Sequence, residues 1–371
     1  MSNKASLIME NGTVFEGFYF GKQGEITGEI VFTTGMIGYL ETLSDPSYFG
    51  QIVLQTFPLI GNYGMIPDDF ESKFVGPSAY IVKHPCQHPS NFRSEGNLDA
   101  FLREKGIVGL YGIDTRALTK LIRENGVMNG KITETKSAAG ESPDSEYIQK
   151  QLEEIKAYQV QNAVKNVSVE EKIFYQAEKS RFTVALLDFG YKENICRELM
   201  KRSCDVWVFP CDSKSEEILS VAPDGIMLSN GPGDPAVNTE IIENLKNLLY
   251  INVPIFGICL GHQLLALANG FMTHKLKYGH RGANQPVKDS QSGKVYITSQ
   301  NHGYAIQSES IDRTIAKEWF LNVNDKTNEG LIYKNIKACS IQFHPEACGG
   351  PRDTEFLFDR FIQDMENGKG L

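Results

Sequence analysis

The chain has 371 residues, 41% of them apolar and 22% charged, which is enough hydrophobic material for more than one buried core and excludes wholesale disorder. Its 37 Lys and Arg against 46 Asp and Glu leave a net charge of −9, which argues against a broad nucleic-acid footprint or adsorption to an anionic membrane. Along the first part, short strand-like runs alternate with Gly and Pro punctuation: SLIME, TVFEGFYF, EIVFTT, QIVLQTFPLIGN, AYIVKHP and IVGLYGI. A helix is predicted from Asp114, which can cap it, with Leu118, Leu121 and Ile122 on one face. Residues 1–140 therefore read as a smaller, strand-rich α/β domain.

Over 141–180 the composition shifts to Lys, Glu, Ser, Gln and Asn, predicting a polar linker with a short amphipathic helix near Asp144–Tyr158. From 181 to 371 the pattern becomes regular. TVALLDFG reads as a buried strand, KENICRELMKRS as a helix with Ile195 and Leu199 four apart, DVWVFP as a second strand and DGIMLSNGPGDP as a third ending in a tight turn. A helix bearing Ile241, Ile242, Leu245, Leu248 and Leu249 follows, then the strand VPIFGI and the helix LGHQLLALA. That rhythm predicts a doubly wound, mostly parallel α/β sheet, with chemistry at the carboxyl ends of its strands.

Asn247 to His274 contains no Asp, Glu, Lys or Arg, a length that nominally spans a bilayer. Pro254, Gly257, Gly261, Gly270, His262, Gln263 and Asn269 interrupt it, so it is read as helix end, buried strand, turn and buried helix. The start, MSNKASLIMENGTVFEG, has no apolar core behind a basic segment, so no secretory leader is expected. The seven cysteines (Cys86, Cys196, Cys204, Cys211, Cys259, Cys339, Cys348) include no CxxC pair and suit a reducing, cytoplasmic setting.

The sharpest chemical signal is Gly257-Ile-Cys259-Leu-Gly261, a Gly-x-nucleophile-x-Gly pattern at a predicted strand-to-helix junction. Two glycines permit a very sharp turn that presents the central side chain. The helix start favours thiolate, and the Leu260 N–H faces any oxyanion beside the sulfur. The lesser alternative for the pattern alone is a buried Cys between close-packed glycines. His344-Pro345-Glu346 follows the apolar run ACSIQF; residues two apart in extended chain share a side, so Glu346 can fix the His344 tautomer. Alone, it equally fits a solvated turn. The Ser229–Pro235 loop, SNGPGDP, offers bare backbone N–H groups to an oxyanion or carboxylate, or is an ordinary turn. Neither GxxxxGK followed by Ser or Thr nor GxGxxG is present, so no nucleotide site is expected here. His84-Pro-Cys86-Gln-His88, and Cys339 with His344 and Cys348, lack a paired half at zinc spacing, and no metal is assigned.

Taken together, the Cys259 elbow, SNGPGDP and HPE resemble class I, triad-type glutamine amidotransferases. Over both domains the chain is similar to the small, glutamine-hydrolysing subunits of carbamoyl phosphate synthetases. The first half carries this in GEIVFTTGMIGYLETLSDPSY, QIVLQTFPLIGNYG, SNFR and GIDTRALTKLIRENG. The second carries it in DFGYKENICREL, LSNGPGDP, FGICLGHQLLALA, KYGHRGANQPV, SQNHGYA and FHPEACGGP. The resemblance implies a flavodoxin-like amidotransferase fold, with Cys259 as nucleophile, His344 as proton carrier and Glu346 as the residue orienting it. It implies oxyanion amides at Gly231 and Leu260, and glutamine contacts at Ser47, Gly233, Gln263, Asn301, Gly303 and Tyr304. Tyr304 stands where Phe is frequent, and CGGP replaces the more usual Pro-Gly-Pro ending. The family partner is a large subunit that uses ATP and Mg, with no cofactor in this chain. Ammonia reaches that subunit through a tunnel and becomes carbamoyl phosphate for pyrimidine and arginine synthesis. An amidotransferase for another acceptor, such as chorismate or a purine nucleotide, a non-catalytic docking subunit and a cysteine peptidase are the competing readings.

Overall fold

The computed structural model describes residues 3–135 and 145–369. The chain divides into two compact units, Met1–Gln161 and Asn162–Leu371. The expected linker is shared between them, and its positions 141–144, with the expected helix start at Asp144, lie outside the described residues.

In the first unit the apolar runs become β1 (Lys4–Met9), β2 (Val14–Gly21), β3 (Ile26–Thr33), β4 (Gln51–Gln55), β5 (Leu59–Ile60), β6 (Ala79–Val82), β7 (His84–Pro85), β8 (Val108–Tyr111) and β9 (Met128–Glu134). Seven of them close into a barrel in the order β1-β2-β8-β6-β4-β3-β9, while β5 pairs with β7. Closure depends on the antiparallel β1–β9 ladder, which joins Ala5 to Glu134. The helices are α1 (Tyr39–Ser44), α2 (Leu98–Glu104), α3 (Thr115–Asn125) and α4 (Ser145–Ala157). Asp114 caps α3 by accepting the Ala117 N–H at 2.9 Å, and Leu118 and Ile122 join Ile30, Ile52 and Leu54 in one core. Helix α4 docks on the barrel through polar groups: Lys131 Nζ meets Glu154 at 2.8 Å, and Asn129 donates to the Ile155 and Tyr158 carbonyls.

The second unit begins with α5 (Ala163–Val167) and β10 (Ile173–Tyr175). Then come β11 (Phe182–Leu187), α6 (Glu193–Lys201), β12 (Cys204–Phe209), α7 (Ser215–Leu219), β13 (Gly225–Leu228), α8 (Thr239–Leu248), β14 (Ile255–Ile258) and α9 (Leu260–Ala268). These match the predicted alternation. Beyond them lie β15 (Thr273–Asp289), β16 (Val295–Ile306), β17 (Ala316–Asn322), β18 (Asn328–Tyr333), β19 (Ala338–Ile341) and α10 (Phe356–Lys369). All ten strands form one sheet, β10-β12-β11-β13-β14-β19-β18-β17-β15-β16. Its heart, β12-β11-β13-β14-β19, is parallel, with the 2-1-3-4-5 order of flavodoxin-like folds. β18, β17, β15 and β16 extend it with antiparallel pairings.

The sheet is covered on both faces, as its apolar strands require. Along β11, Val184 and Leu186 pack with α6 and α10 residues such as Leu199 and Phe361, while Ala185 and Leu187 pack with Ile218 of α7, Leu245 of α8 and Leu264 of α9. The uncharged stretch 247–274 runs through the end of α8, then β14 and α9, into β15. Among the described residues no helix is long and apolar enough to cross a membrane.

Candidate active site

Strand β14 passes into α9 through one residue, Cys259, whose φ of 53° and ψ of −103° lie outside the left-handed helical well. Glycine on either side makes the turn possible. A Cβ on Gly257 would lie 2.9 Å from the Gly261 carbonyl carbon and oxygen, and one on Gly261 would lie 2.4 Å from the Leu228 oxygen. The turn is pinned to both neighbouring strands: Cys259 N–H donates to Ile341 O at 2.8 Å and Gly261 N–H to Ser229 O at 3.0 Å. The Cys259 side chain is only 2% exposed, and its thiol points to the Asn301 carbonyl at 3.8 Å.

His344 stands three residues beyond β19, the parallel neighbour of β14, with Ile258 opposite Ile341. The 85 residues separating it from Cys259 (344 − 259) are thus bridged by one step across the ladder. His344 Nδ1 meets Glu346 Oε1 at 2.7 Å with both side chains out of solvent, and the His344 N–H donates to Ser299 O at 3.0 Å. Burial opposes charge on this ring and so does the Lys192 ammonium, but the Glu346 carboxylate and Cys259 sulfur outweigh both and raise its pKa. Nε2, the nitrogen not held by Glu346, is buried without a hydrogen-bond partner among the described residues. A ring fixed at one nitrogen and unengaged at the other, within the field of a thiol, is suited to proton transfer. His262 is not suited to it, being fully buried, hydrogen-bonded to Ser340 Oγ at 2.8 Å, and pushed by burial down to about 3.

The two residues expected to supply oxyanion amides pack against each other. Leu260 opens α9, so its N–H has no intrahelical acceptor. A Cβ on Gly231 would lie 2.8 Å from Leu260 Cδ2 and 2.0 Å from Phe189 O, so only glycine fits there. The loop holding Gly231 is tied down by Ser229, whose hydroxyl accepts the Phe189 N–H at 2.8 Å. Asn230 reinforces it by donating to Gly190 O at 2.8 Å. Gly233 adopts φ 89°, with its missing Cβ 2.9 Å from Ala163 Cβ. Gln263 Nε2 donates to Tyr304 O at 2.7 Å and to Gln342 Oε1 at 2.9 Å. Asn301, Gly303 and Tyr304 share β16, and Asn301 reaches the thiol through its carbonyl. Ser47 belongs to the first unit, buried in a 3-10 turn over Pro46–Tyr48, where its N–H donates to Asp45 Oδ1 at 2.9 Å.

Three residues that received no role from the sequence support this constellation. Asp188, fully buried at the end of β11, accepts N–H groups from Val169, Gly190 and Tyr191 at 2.7–2.8 Å. Lys192 is buried near His344, and Asn194 donates its side-chain amide to the Glu346 carbonyl. Polar residues directly after a buried strand were the available signal, in DFGYKEN. Neither cysteine–histidine cluster noted in the sequence forms a ligand set. Among the described residues, the one group able to close on a metal ion is His280, His302 and Glu329, with ligand atoms within 4.8 Å of one another. Their polar atoms already engage Asp325, Gln300, Tyr304 and Asn322, which describes a hydrogen-bonded network better than a metal cage.

A buried His344–Glu346 pair in the field of the Cys259 thiol, at the carboxyl edge of a flavodoxin-like sheet, is the arrangement expected of a class I glutamine amidotransferase domain, and residues 185–364 match the family described as glutamine amidotransferase class-I. Residues 7–132 match the carbamoyl-phosphate synthase small chain, CPSase domain. The chain is 52% identical over 366 residues to the carbamoyl phosphate synthase small chain of Bacillus thuringiensis subsp. konkukian (strain 97-27), covering 99% of this chain and 97% of that one. It is 50% identical over 363 residues to the pyrimidine-specific small chain of Bacillus subtilis (strain 168), covering 98% and 96%. It is 48% identical over 360 residues to the small chain of Clostridium perfringens (strain 13 / Type A), covering 97% and 99%. The chain belongs to the carbamoyl phosphate synthase small chain family.

Proposed function

We propose that this chain hydrolyses L-glutamine and delivers the ammonia to a large synthetase subunit that makes carbamoyl phosphate. The observation that carries the reading is the buried His344–Glu346 pair beside a thiol on a strained turn. His344 Nε2 takes the Cys259 proton and the thiolate attacks the side-chain amide carbon of glutamine. The Gly231 and Leu260 N–H groups receive the oxyanion. Collapse breaks the C–N bond, His344 returns the proton to the leaving nitrogen, and ammonia departs from a glutamyl thioester. Water, deprotonated by the same imidazole, then releases glutamate and restores the thiol. Gly233, Gln263, Asn301, Gly303 and Tyr304 hold the amino-acid end of the substrate. Free ammonia is protonated in bulk water, so an enclosed route to the partner preserves the nucleophile.

The match of residues 7–132 to the synthase-specific domain favours this acceptor over chorismate or a purine nucleotide. Retention of the whole triad favours an enzyme over a docking subunit. In the assembled two-subunit enzyme, Cys259→Ser is expected to abolish glutamine-dependent carbamoyl phosphate formation and to leave the ammonia-dependent rate. His344→Asn should do the same, and Glu346→Gln should lose less, as an orienting group contributes less than the nucleophile. Full glutamine-dependent activity in Cys259→Ser refutes the reading.

A further inference from the structure

Behind β16 lies a hydrogen-bonded network that the triad does not use. His280 of β15 stands between two carboxylates: Nε2 is hydrogen-bonded at 2.8 Å to Asp325 Oδ2, in the turn between β17 and β18, and Nδ1 lies at an ion-pair distance of 3.3 Å from Glu329 Oε1 of β18. Glu329 is fully buried, with Asn322 Nδ2 at 3.2 Å on one oxygen and Gln300 Nε2 at 3.1 Å on the other. Gln300 Oε1 lies 3.1 Å from His302 Nε2, and Tyr304 O lies 2.8 Å from His302 Nδ1; burial keeps this ring neutral, so its single N–H donates to one of the two oxygens and the ring only packs against the other. The His280 and His302 rings stand edge to face at 4.9 Å.

The chain of contacts ends at an informative atom. The Tyr304 carbonyl has two lone pairs, and Gln263 Nε2 donates to it at 2.7 Å. One oxygen therefore joins the network to a proposed glutamine contact. Gln300 and His302 also flank Asn301, whose carbonyl faces the Cys259 thiol. Four buried polar side chains (Gln300, His302, Asn322 and Glu329) would be a poor core for β15–β18 on stability grounds alone, since apolar packing is commonly as stable.

We infer that His280, clamped by Asp325 and Glu329, is a positioning residue for glutamine: through Glu329, Gln300 and His302 it fixes the Tyr304 carbonyl and hence Gln263. This rests on the glutaminase reading above. Its effect belongs in substrate binding, because the path reaches Gln263 and not the ring of His344. The charged and titratable groups facing His280 are Asp325, Glu329 and His302, with Arg281 next to it on its own strand. Burial works against charge on His280, but its two carboxylate partners prevail and bring its pKa up to about 9. The imidazolium thus hydrogen-bonds Asp325 and pairs electrostatically with Glu329 at neutral pH, and it loses its charge as pH passes that value.

Steady-state kinetics of the assembled enzyme carrying His280→Gln or Asp325→Asn, with glutamine and separately with ammonia, test this. His280→Gln is expected to raise the glutamine KM about tenfold, the ratio given by losing one hydrogen bond to a charged group, with kcat and the ammonia-dependent rate near wild type. Asp325→Asn, on a half-exposed turn, should move the alkaline rise in KM to lower pH, because His280 then keeps one carboxylate. An unchanged glutamine KM in both variants, or an equal fall in the glutamine and ammonia rates, overturns the inference. A wild-type enzyme without glutamine-dependent activity would instead overturn the glutaminase reading itself.

Discussion

The backbone of Cys259 offers a test that does not depend on catalysis. At φ 53° and ψ −103° a residue with a Cβ carries strain of roughly 1–3 kcal/mol, and glycine does not. Cys259→Ala keeps the Cβ and the strain; Cys259→Gly removes both. At an ordinary buried position Gly is the less stable of the two by about 1.5 kcal/mol, combining greater freedom of the unfolded chain with the loss of one buried carbon. Here relief of about 2 kcal/mol should cancel that deficit, leaving the variants within about 0.5 kcal/mol of each other. The assay is thermal or urea unfolding of the full chain, following the transition of the second unit, with loss of glutamine hydrolysis in both variants as the control. An unrelieved deficit would appear as a gap of about 3–6 °C in Tm. Finding Cys259→Gly that far below Cys259→Ala refutes the claim that the turn is strained.

Two further predictions rest on other features. Gly261→Ala places a Cβ 2.4 Å from the backbone oxygen of Leu228, which cannot swing aside. It should cost roughly 1–3 kcal/mol in urea unfolding and lower kcat/KM for glutamine, and a neutral outcome on both contradicts the close approach. The second concerns pH. His280 has a folded pKa of about 9, above its ordinary 6.5, so its stabilising contribution is complete below pH 6.5 and is lost as pH rises through 9. Between pH 6.5 and about 9.5, the unfolding midpoint should fall more for wild type than for His280→Gln, and parallel slopes would remove this residue from the pH dependence.

How far the sequence foreshadows the structure differs from element to element. The strands at the heart of the second unit were legible because VALL, GIML and PIFGI are continuous apolar runs that only a sheet covered on both sides accommodates. The elbow was legible because two glycines around a cysteine leave little choice of turn. The antiparallel extension was not: THKLKYGHRGANQPVKD alternates poorly, and its 17 residues remain one strand only by taking two register shifts against β16. Barrel closure was hidden for another reason, since Ala5 and Glu134 meet 129 residues apart (134 − 5) and no local pattern marks the pairing. Lys192 and Asn194 escaped notice because the start of a helix usually faces water. Only the fold reveals that both are buried, and that Asn194 holds the carbonyl of Glu346. His344 and Glu346 could be paired from their spacing, but their approach to Cys259 required the neighbouring placement of β14 and β19.

That neighbouring placement reaches beyond proximity. Cys259 and His344 each leave the carboxyl end of a central strand, and the two strands are hydrogen-bonded to each other, so the spacing of the proposed nucleophile and base is inherited from the repeat of the sheet itself. Heat should therefore extinguish glutamine cleavage together with the melting of the sheet, without an earlier loosening of the reactive pair. By the same logic, the exposed turn 290–294, where β15 reverses into β16, is free to lengthen or shorten while that separation is kept.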